Sequence, residues 1–338
     1  MKITFNSDVL LCFIKQAKVI KDDLGILIRA KGEEIEFVKA DLESQISKSF
    51  TGDIEQEGSV VLPKEIYSLI KPKTTMTLSQ CTMNLGKRII EVNLKAGDEY
   101  PIFEDEFKYE IFDLSDKELK QLLEVEHAVS KDITKPLLTG IHIKDNKFIA
   151  IDGFRLSTRT GNFKSEKPIT IKNLKLLKSL KGQVKATSSD KYIKYTVNGL
   201  EYIGLLIQGE FIDINKLIPK DYNCSLMVNK DVMEATLKDI NTVAKTTKNY
   251  LVKFNVKDNR CVVKSDTEVI KIKDEFECDT TGEEIDIAFN CKYILDAIKD
   301  FENVQIKFTT PVNPAVLLDE NKLELVLPIR IAGGIKHV

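Results

Sequence analysis

SDVLLCFIKQAKVI (7–20), SDKELKQLLEVEHAV (115–129) and NKDVMEATLKDINTV (229–243) are three amphipathic helical patterns that open alike and recur 108 and 114 residues apart. Each is followed by an apolar run that ends on an aspartate. These runs are FVKADLES at Asp41, FIAIDGFRLS at Asp152 and VVKSDTEVIK at Asp266, at offsets of 111 and 114. A second helical pattern then follows: PKEIYSLIK (63–71), IKNLKLLKSL (171–180) and CKYILDAIKDF (291–301). In these, Lys64, Lys172 and Lys292 hold matching places, 108 and 120 apart. Three landmarks in one order, three times over, describe a repeated scaffold rather than a chain folded around a single cleft.

Between the helical patterns the chain alternates and favours β-branched residues, as in EIEFVKA (34–40), YIKYTVN (192–198), EIDIAF (284–289) and LELVLPI (323–329). The fold class is therefore α+β, with three domains in which two helices pack on antiparallel strands. Boundaries are expected near KYEIFDLS (108–115) and PKDYNCSL (219–226), which divides the chain into 1–113, 114–223 and 224–338. Ser7, Ser115 and Asn229 are favoured N-cap residues, Asp8, Asp116 and Asp231 suit the positive helix end, and Pro63 fits a first turn.

The 338 residues are 43% apolar and 30% charged, the composition of a soluble protein with a core in each repeat. No apolar run approaches the roughly 20 residues that span a bilayer. MKITFNSDVLL lacks an export signal, so a cytoplasmic location is expected. The six cysteines form no CxxC pair and read as reduced core thiols. The net charge is −2, but it is unevenly spread. The helical stretches 7–21, 63–73, 115–131, 171–181, 229–248 and 290–302 together carry +7 and the remainder −9. Without their terminal lysines the contrast shrinks to +2 against −4 and keeps its sign.

The sequence offers no catalytic constellation. His127, His142 and His337 have no neighbours at metal-ligand spacing, and no phosphate-binding glycine loop occurs. The acidic stretches EDEFKYE (104–110) and DDLG (22–25) read as solvated loops, and no cofactor or metal is implied. Lys172, Lys175, Lys178 and Lys181 recur at three-residue steps beside Leu174, Leu176, Leu177 and Leu180. The repetition of Lys64, Lys172 and Lys292 at one place in three domains makes the lysines of these second helices a candidate phosphate-binding surface, since ammonium groups meet phosphates without reading bases. A second candidate is apolar: IDGFRLS (151–157) and LELVLPIRI (323–331).

At these residues the sequence resembles the β subunit of bacterial DNA polymerase III, the β sliding clamp. LLTGIHI (137–143) with AIDGFRLS (150–157) is similar to the family's LNG…ATDGHRL, and GEFIDINKLIPK (209–220) to its GRFPDY…VIPK. FNCKYILDAI (289–298) resembles its FNxxYLLDAL, and LPIRI (327–331) its terminal MPMRL. The resemblance implies clamp domains, a head-to-tail homodimer closing a ring around duplex DNA, and a non-catalytic processivity role. It also implies one peptide-binding cleft shared by polymerase, clamp loader and repair proteins. Carried over by position, that cleft is Leu138, Ile151, Gly153, Phe154, Arg155, Leu156, Ile212, Leu217, Asn290, Tyr293, Pro314, Val326, Leu327, Pro328, Ile329 and Arg330. The DNA face carried over includes Lys64 and Lys172; the repeat adds Lys175, Lys178 and Lys292.

The chain departs from the family pattern at Phe154, usually histidine, and at Ile212, usually proline. It also has a short KVIKDDLGIL (18–27) and a tail, Ala332–Val338, beyond the family's end. These departures fit a divergent member, chromosomal or carried by a phage or plasmid. The rival readings are a scaffold of the same fold that never encircles DNA, and a metal-dependent nuclease using the acidic loops.

Overall fold

The computed structural model describes residues 1–21 and 24–330. Part of the short KVIKDDLGIL segment, His337 and the Ala332–Val338 tail lie outside these residues. The same order of elements is built three times. The first third runs β1 (Lys2–Asn6), α1 (Ser7–Gln16), β2 (Ile26–Lys31), β3 (Glu34–Ala40), β4 (Ser44–Thr51) and β5 (Asp53–Gln56). It continues with β6 (Gly58–Leu62), a 3-10 helix Lys64–Leu69, β7 (Thr75–Ser79), β8 (Thr82–Leu85), β9 (Arg88–Glu91) and β10 (Lys95–Ala96). The second third has β11 (Tyr109–Leu114), α2 (Asp116–Glu124), a 3-10 turn Val125–Ala128, β12 (Ile141–Lys144), β13 (Lys147–Ile151) and β14 (Arg155–Thr160). Then come β15 (Ile169–Ile171), α3 (Leu174–Leu177), β16 (Val184–Ser188), β17 (Tyr192–Val197) and β18 (Leu200–Leu205). The last third has β19 (Cys224–Asn229), α4 (Lys230–Ala244), β20 (Leu251–Lys257), β21 (Arg260–Asp266), β22 (Lys271–Glu277) and β23 (Asp279–Gly282). It ends with β24 (Ile285–Asn290), α5 (Cys291–Ile298), β25 (Asn303–Phe308), β26 (Ala315–Asp319) and β27 (Lys322–Val326).

A strand leads directly into the first helix of each third. Where 108–115 and 219–226 read as lapses in alternation, β11 and β19 run straight into α2 and α4. A bulge hides the first: the register shifts between Glu110 and Phe112, so Ile111 and Phe112 are both buried. The caps follow the sequence with one exception. Ser115 and Glu118 form a reciprocal capping box, with Ser115 N–H donating to Glu118 Oε2 (2.9 Å) and Glu118 N–H to Ser115 Oγ (3.4 Å). Asn229 caps α4 and Asn290 caps α5. In α1 the cap is Asn6, whose side chain accepts from Asp8 N–H; Ser7 is buried and donates to the Lys71 carbonyl (2.7 Å).

The second helices are shorter than expected. Pro63 and Pro72 bracket PKEIYSLIK, and the residue before a proline avoids the α region, so only a 3-10 helix forms, with Pro63 as its extended cap. In IKNLKLLKSL a single α turn forms, then closes through i→i+3 bonds such as Ser179 N–H to the Leu176 carbonyl (2.8 Å). Of the four lysines read as one helical face, only Lys175 lies in the helix. The cysteines also split. Cys224, Cys261, Cys278 and Cys291 are buried, while Cys12 and Cys81 are exposed rather than core. Burial pushes the Cys278 thiol up to about 11 and Cys291 to about 12.

The chain divides into two compact units. One comprises Met1–Leu119 and Phe163–Ile207, the other Lys120–Asn162 and the chain from Gln208 on. The first contains the sheets β5-β1-β7-β8-β9 and β10-β6-β2-β3-β4-β18-β17-β16-β11. Its core includes Phe5, Phe13 and Phe37, with half-buried Phe50 against them and ring centroids 4.8–5.8 Å apart along the chain of contacts. Such pairs contribute about 0.5–1.5 kcal/mol each beyond their buried area. The second contains β12-β13-β14-β27-β26-β25-β19-β23 and β22-β21-β20-β24. Its main core gathers α4 and α5 residues such as Leu237, Ile240 and Ile294 onto Phe254, Phe289 and Phe308.

One pairing rule operates in both units. The last strand of a first-half sheet joins the last strand of the following third's second-half sheet: β4 pairs with β18, and β14 with β27, both antiparallel. Among the described residues the corresponding strands β22 and β9 end their sheets without an outer neighbour.

Candidate functional site

All sixteen cleft residues fall in the second unit, and the Asp152–Arg155 turn organises them. Asp152 Oδ1 accepts from the amides of Phe154 (2.9 Å) and Arg155 (3.0 Å). Gly153 sits at φ +92, where a side chain would be strained, which explains a glycine here. The turn throws Phe154 outward, so it is 59% exposed although aromatic. Its ring centroid lies 6.3 Å from that of Tyr293 on the first turn of α5.

Arg155 braces the turn against α5. Its Nε donates to Asp152 Oδ2 (2.9 Å), its Nη1 to Asp296 Oδ2 (2.6 Å), and its guanidinium lies 4.3 Å from the Tyr293 ring centroid. One guanidinium is shared by two carboxylates, so this corner of the site keeps a net negative charge. Burial, with the nearby Asp152 charge, raises the Tyr293 hydroxyl pKa, so Tyr293 enters the site as a neutral phenol at neutral pH. Asn290 holds this end of α5 by accepting from the amides of Lys292 (3.0 Å) and Tyr293 (3.3 Å).

The chain leaving β27 forms the other wall. Leu327 N–H donates to the Phe154 carbonyl (2.8 Å) and Ile329 N–H to the Ala288 carbonyl (2.7 Å), with Pro328 between them. Leu138, Ile151 and Leu156 pack with Ile214, Val316 and Leu325 as a buried floor. Phe154, Ile212, Leu217 and Leu327 remain exposed above it. Val326 is buried opposite Ala315, the neighbour of Pro314. Arg330 is exposed at the rim.

Sequence reading alone missed Asp152 and Asp296 as the partners that fix Arg155. The signal was present: Asp152 ends the repeated apolar run, and Asp296 stands one helical turn after Tyr293. It also treated Leu156 as a contact residue, whereas it is fully buried. Leu156→Ala would therefore report on folding, at about 2–5 kcal/mol. Tyr293→Ala is the cleaner probe: it should weaken binding of an apolar-anchored peptide by roughly 2 kcal/mol, about 30-fold, with the thermal midpoint nearly unchanged. Peptide titration by calorimetry against the melting curve checks both halves.

Of the proposed DNA-facing lysines, Lys64, Lys172, Lys175 and Lys178 lie in the first unit and Lys292 in the second, and all are exposed. Lys172 Nζ bonds Glu43 Oε1 (2.7 Å), a pair about half exposed on both sides. Such a pair is worth about 0–1 kcal/mol, so a phosphate can displace the carboxylate at little cost.

Comparison with known proteins matches residues 215–330 to the C-terminal domain of the DNA polymerase III beta subunit. The beta sliding clamp of Staphylococcus epidermidis is 28% identical over 345 residues, covering 90% of this chain and 91% of that protein. That of Staphylococcus aureus is 27% identical over 343 residues, with the same coverage. Among solved structures, a putative DNA polymerase III beta subunit from Eubacterium rectale superposes with a TM-score of 0.86 at 22% identity, covering 98% of this chain and 100% of that one. The Bacillus subtilis DNA polymerase sliding clamp gives 0.84 at 23%, covering 98% and 99%. A sliding clamp from Bartonella birtlesii, solved bound to griselimycin, gives 0.82 at 21%, covering 98% and 100%. The solved structures establish likeness of fold, and the sequence relatives extend it along nearly the whole chain. With the repeated architecture and the ordered motifs, they make this chain similar along nearly its whole length to the β sliding clamps, and residues 215–330 match the C-terminal domain of the DNA polymerase III beta subunit.

Proposed function

We propose that the protein is a DNA sliding clamp, a ring-shaped homodimer of three clamp domains per chain (1–113, 114–223 and 224–338) that holds the replicative polymerase on duplex DNA. The observation that carries this reading is the pairing rule of the sheets. β4–β18 and β14–β27 use it twice, and the strands left over, β22 and β9, are the two that a third use would join. They would join between copies: β22 of one with β9 of the other, and the reverse, giving two equivalent joints and a closed C2 assembly. Closure also covers strand edges that would otherwise invite uncontrolled association.

A closed ring needs no tight grip on DNA. Contacts from Lys64, Lys172, Lys175, Lys178 and Lys292 to phosphates would be weak, salt-dependent and indifferent to sequence, which permits sliding. The protein performs no catalysis. The cleft around Phe154 and Tyr293 would dock a short peptide with apolar anchors from polymerase, clamp loader or repair proteins. Tethering then keeps the enzyme at high effective concentration near the primer end. The location proposed is the cytoplasm, where chromosomal DNA is replicated.

Retention on DNA tests this directly. After loading, the protein should remain on nicked circular DNA during gel filtration and be lost once the circle is linearised. Equal loss from both would leave a non-encircling scaffold as the better reading. A native mass of one chain at micromolar concentration would likewise contradict the ring.

A further inference from the structure

Beneath the cleft lies a buried ionic cluster that the clamp reading does not use. Arg159 and Glu324 are each 1% exposed, and Arg159 Nη1 donates to Glu324 Oε1 (2.6 Å). Arg159 also donates from Nε to Glu124 Oε2 (2.9 Å), and its Nη2 lies 3.5 Å from Asp300 Oδ2. Ser157 Oγ donates to Glu324 Oε1 (2.7 Å). One arginine thus faces three carboxylates drawn from α2, β27 and the turn after α5.

His127 supplies what is missing. Its Nδ1 lies 2.8 Å from the Glu124 carbonyl oxygen and its Nε2 3.1 Å from Glu324 Oε2. Both neighbours are acceptors. A neutral imidazole has one N–H and would point a lone pair at one of these oxygens; only the imidazolium donates to both. The remaining neighbours are accounted for. β14 contributes the cations Arg155 and Arg159, β27 contributes Lys322 with its Nζ on the Asp300 carbonyl, and β13 packs with buried Phe148–Ile151.

The link to the cleft is short. Ser157 pairs with Glu324 across the β14–β27 joint, and the next two pairs are Leu156 with Leu325 and Arg155 with Val326. Leu156 and Leu325 belong to the cleft floor, and Arg155 carries the brace to Tyr293.

We propose that His127, held as an imidazolium between Glu124 and Glu324, is a positioning residue for the β14–β27 joint and makes peptide affinity of the cleft fall as pH rises through neutrality. This rests on the cleft being the peptide site. Burial alone would depress the imidazole pKa, but the Glu324 hydrogen bond and charge, with the Glu124 carbonyl, outweigh it and hold it above the ordinary 6.5. For a raised folded-state pKa, the stabilising contribution is complete below 6.5 and fades as pH climbs through the raised value.

The test uses the full chain and a fluorescein-labelled peptide with leucine and phenylalanine anchors on a glycine–serine background, capped at both ends and free of histidine and carboxylates. Anisotropy titrations at about pH 6 and about pH 8.5 bracket the histidine range. Wild type should bind about fivefold more weakly at the higher pH, the lower end of site-to-site coupling. His127→Gln should give a flat profile near the weaker value, and Glu324→Gln should move the wild-type transition to lower pH. A flat wild-type profile, or a slope unchanged in His127→Gln, overturns the role of His127. Absence of peptide binding at both pH values overturns the cleft reading itself. Native mass and melting curves recorded alongside separate a repositioned cleft from an unfolded chain.

Discussion

Arg159→Met is expected to lower the unfolding free energy by about 3–5 kcal/mol, the range for stranding a buried carboxylate. Methionine keeps much of the aliphatic stem, so the packing loss is small and the charge effect dominates. Without the guanidinium, Glu324 stays 1% exposed and keeps only Ser157 and His127 as partners. Glu124 and Asp300 lose the cation they share. The double variant Arg159→Met/Glu324→Leu should recover much of the loss, because replacing a buried ion pair by apolar groups is often neutral. Urea unfolding of the two variants and the wild type measures both quantities. A single-variant loss under about 1 kcal/mol would mean that water reaches the cluster and screens it as at a surface.

Ile89→Asp should leave the isolated chain as stable as before and dismantle the dimer. Ile89 is 72% exposed on β9, so an aspartate there faces solvent, where substitutions usually stay within about 0.5 kcal/mol. In the closed assembly a β22 strand would lie beside it, and an unpaired carboxylate covered at that joint costs about 2 kcal/mol. The homodimer carries the substitution twice, once at each joint, so the ring loses about 4 kcal/mol, roughly three orders of magnitude in dissociation constant. Sedimentation on dilution, with the melting temperature as control, gives the answer. An unchanged dimer constant would mean that β9 is not at the joint. The same variant should fail to remain on circular DNA, which ties assembly to retention.

The repeat was legible because it rests on local chemistry: caps, periodicity and the aspartate closing each apolar run all act over a few residues. The cleft's outline was legible for the same reason, since Gly153, Phe154 and Tyr293 stand in short recognisable motifs. What the sequence hid was non-local. The β11 strand was obscured by a bulge that places Ile111 and Phe112 on buried positions together. The second helical patterns had helical spacing, yet prolines and i→i+3 closure cut them short. Arg159, Glu124, Asp300 and Glu324 are spread over 201 positions of chain, and charged residues so far apart announce no contact until the strands pair. Leu156 looked like a binding residue because its neighbours are; β14 is paired on both sides, and Leu156 packs into the buried cluster with Ile214, Val316 and Leu325 instead.

The unequal character of the two leftover strands has a directional consequence. β9 is four residues, RIIE, and β22 is seven, KIKDEFE, so the two leftover edges are different surfaces. Joining one to the other, as proposed, would link the copies front to back. A closed pair assembled that way would have two unlike faces, and its two clefts would be equivalent under the twofold axis. Cargo docked in either cleft would then meet the same surroundings and keep one heading relative to the primer.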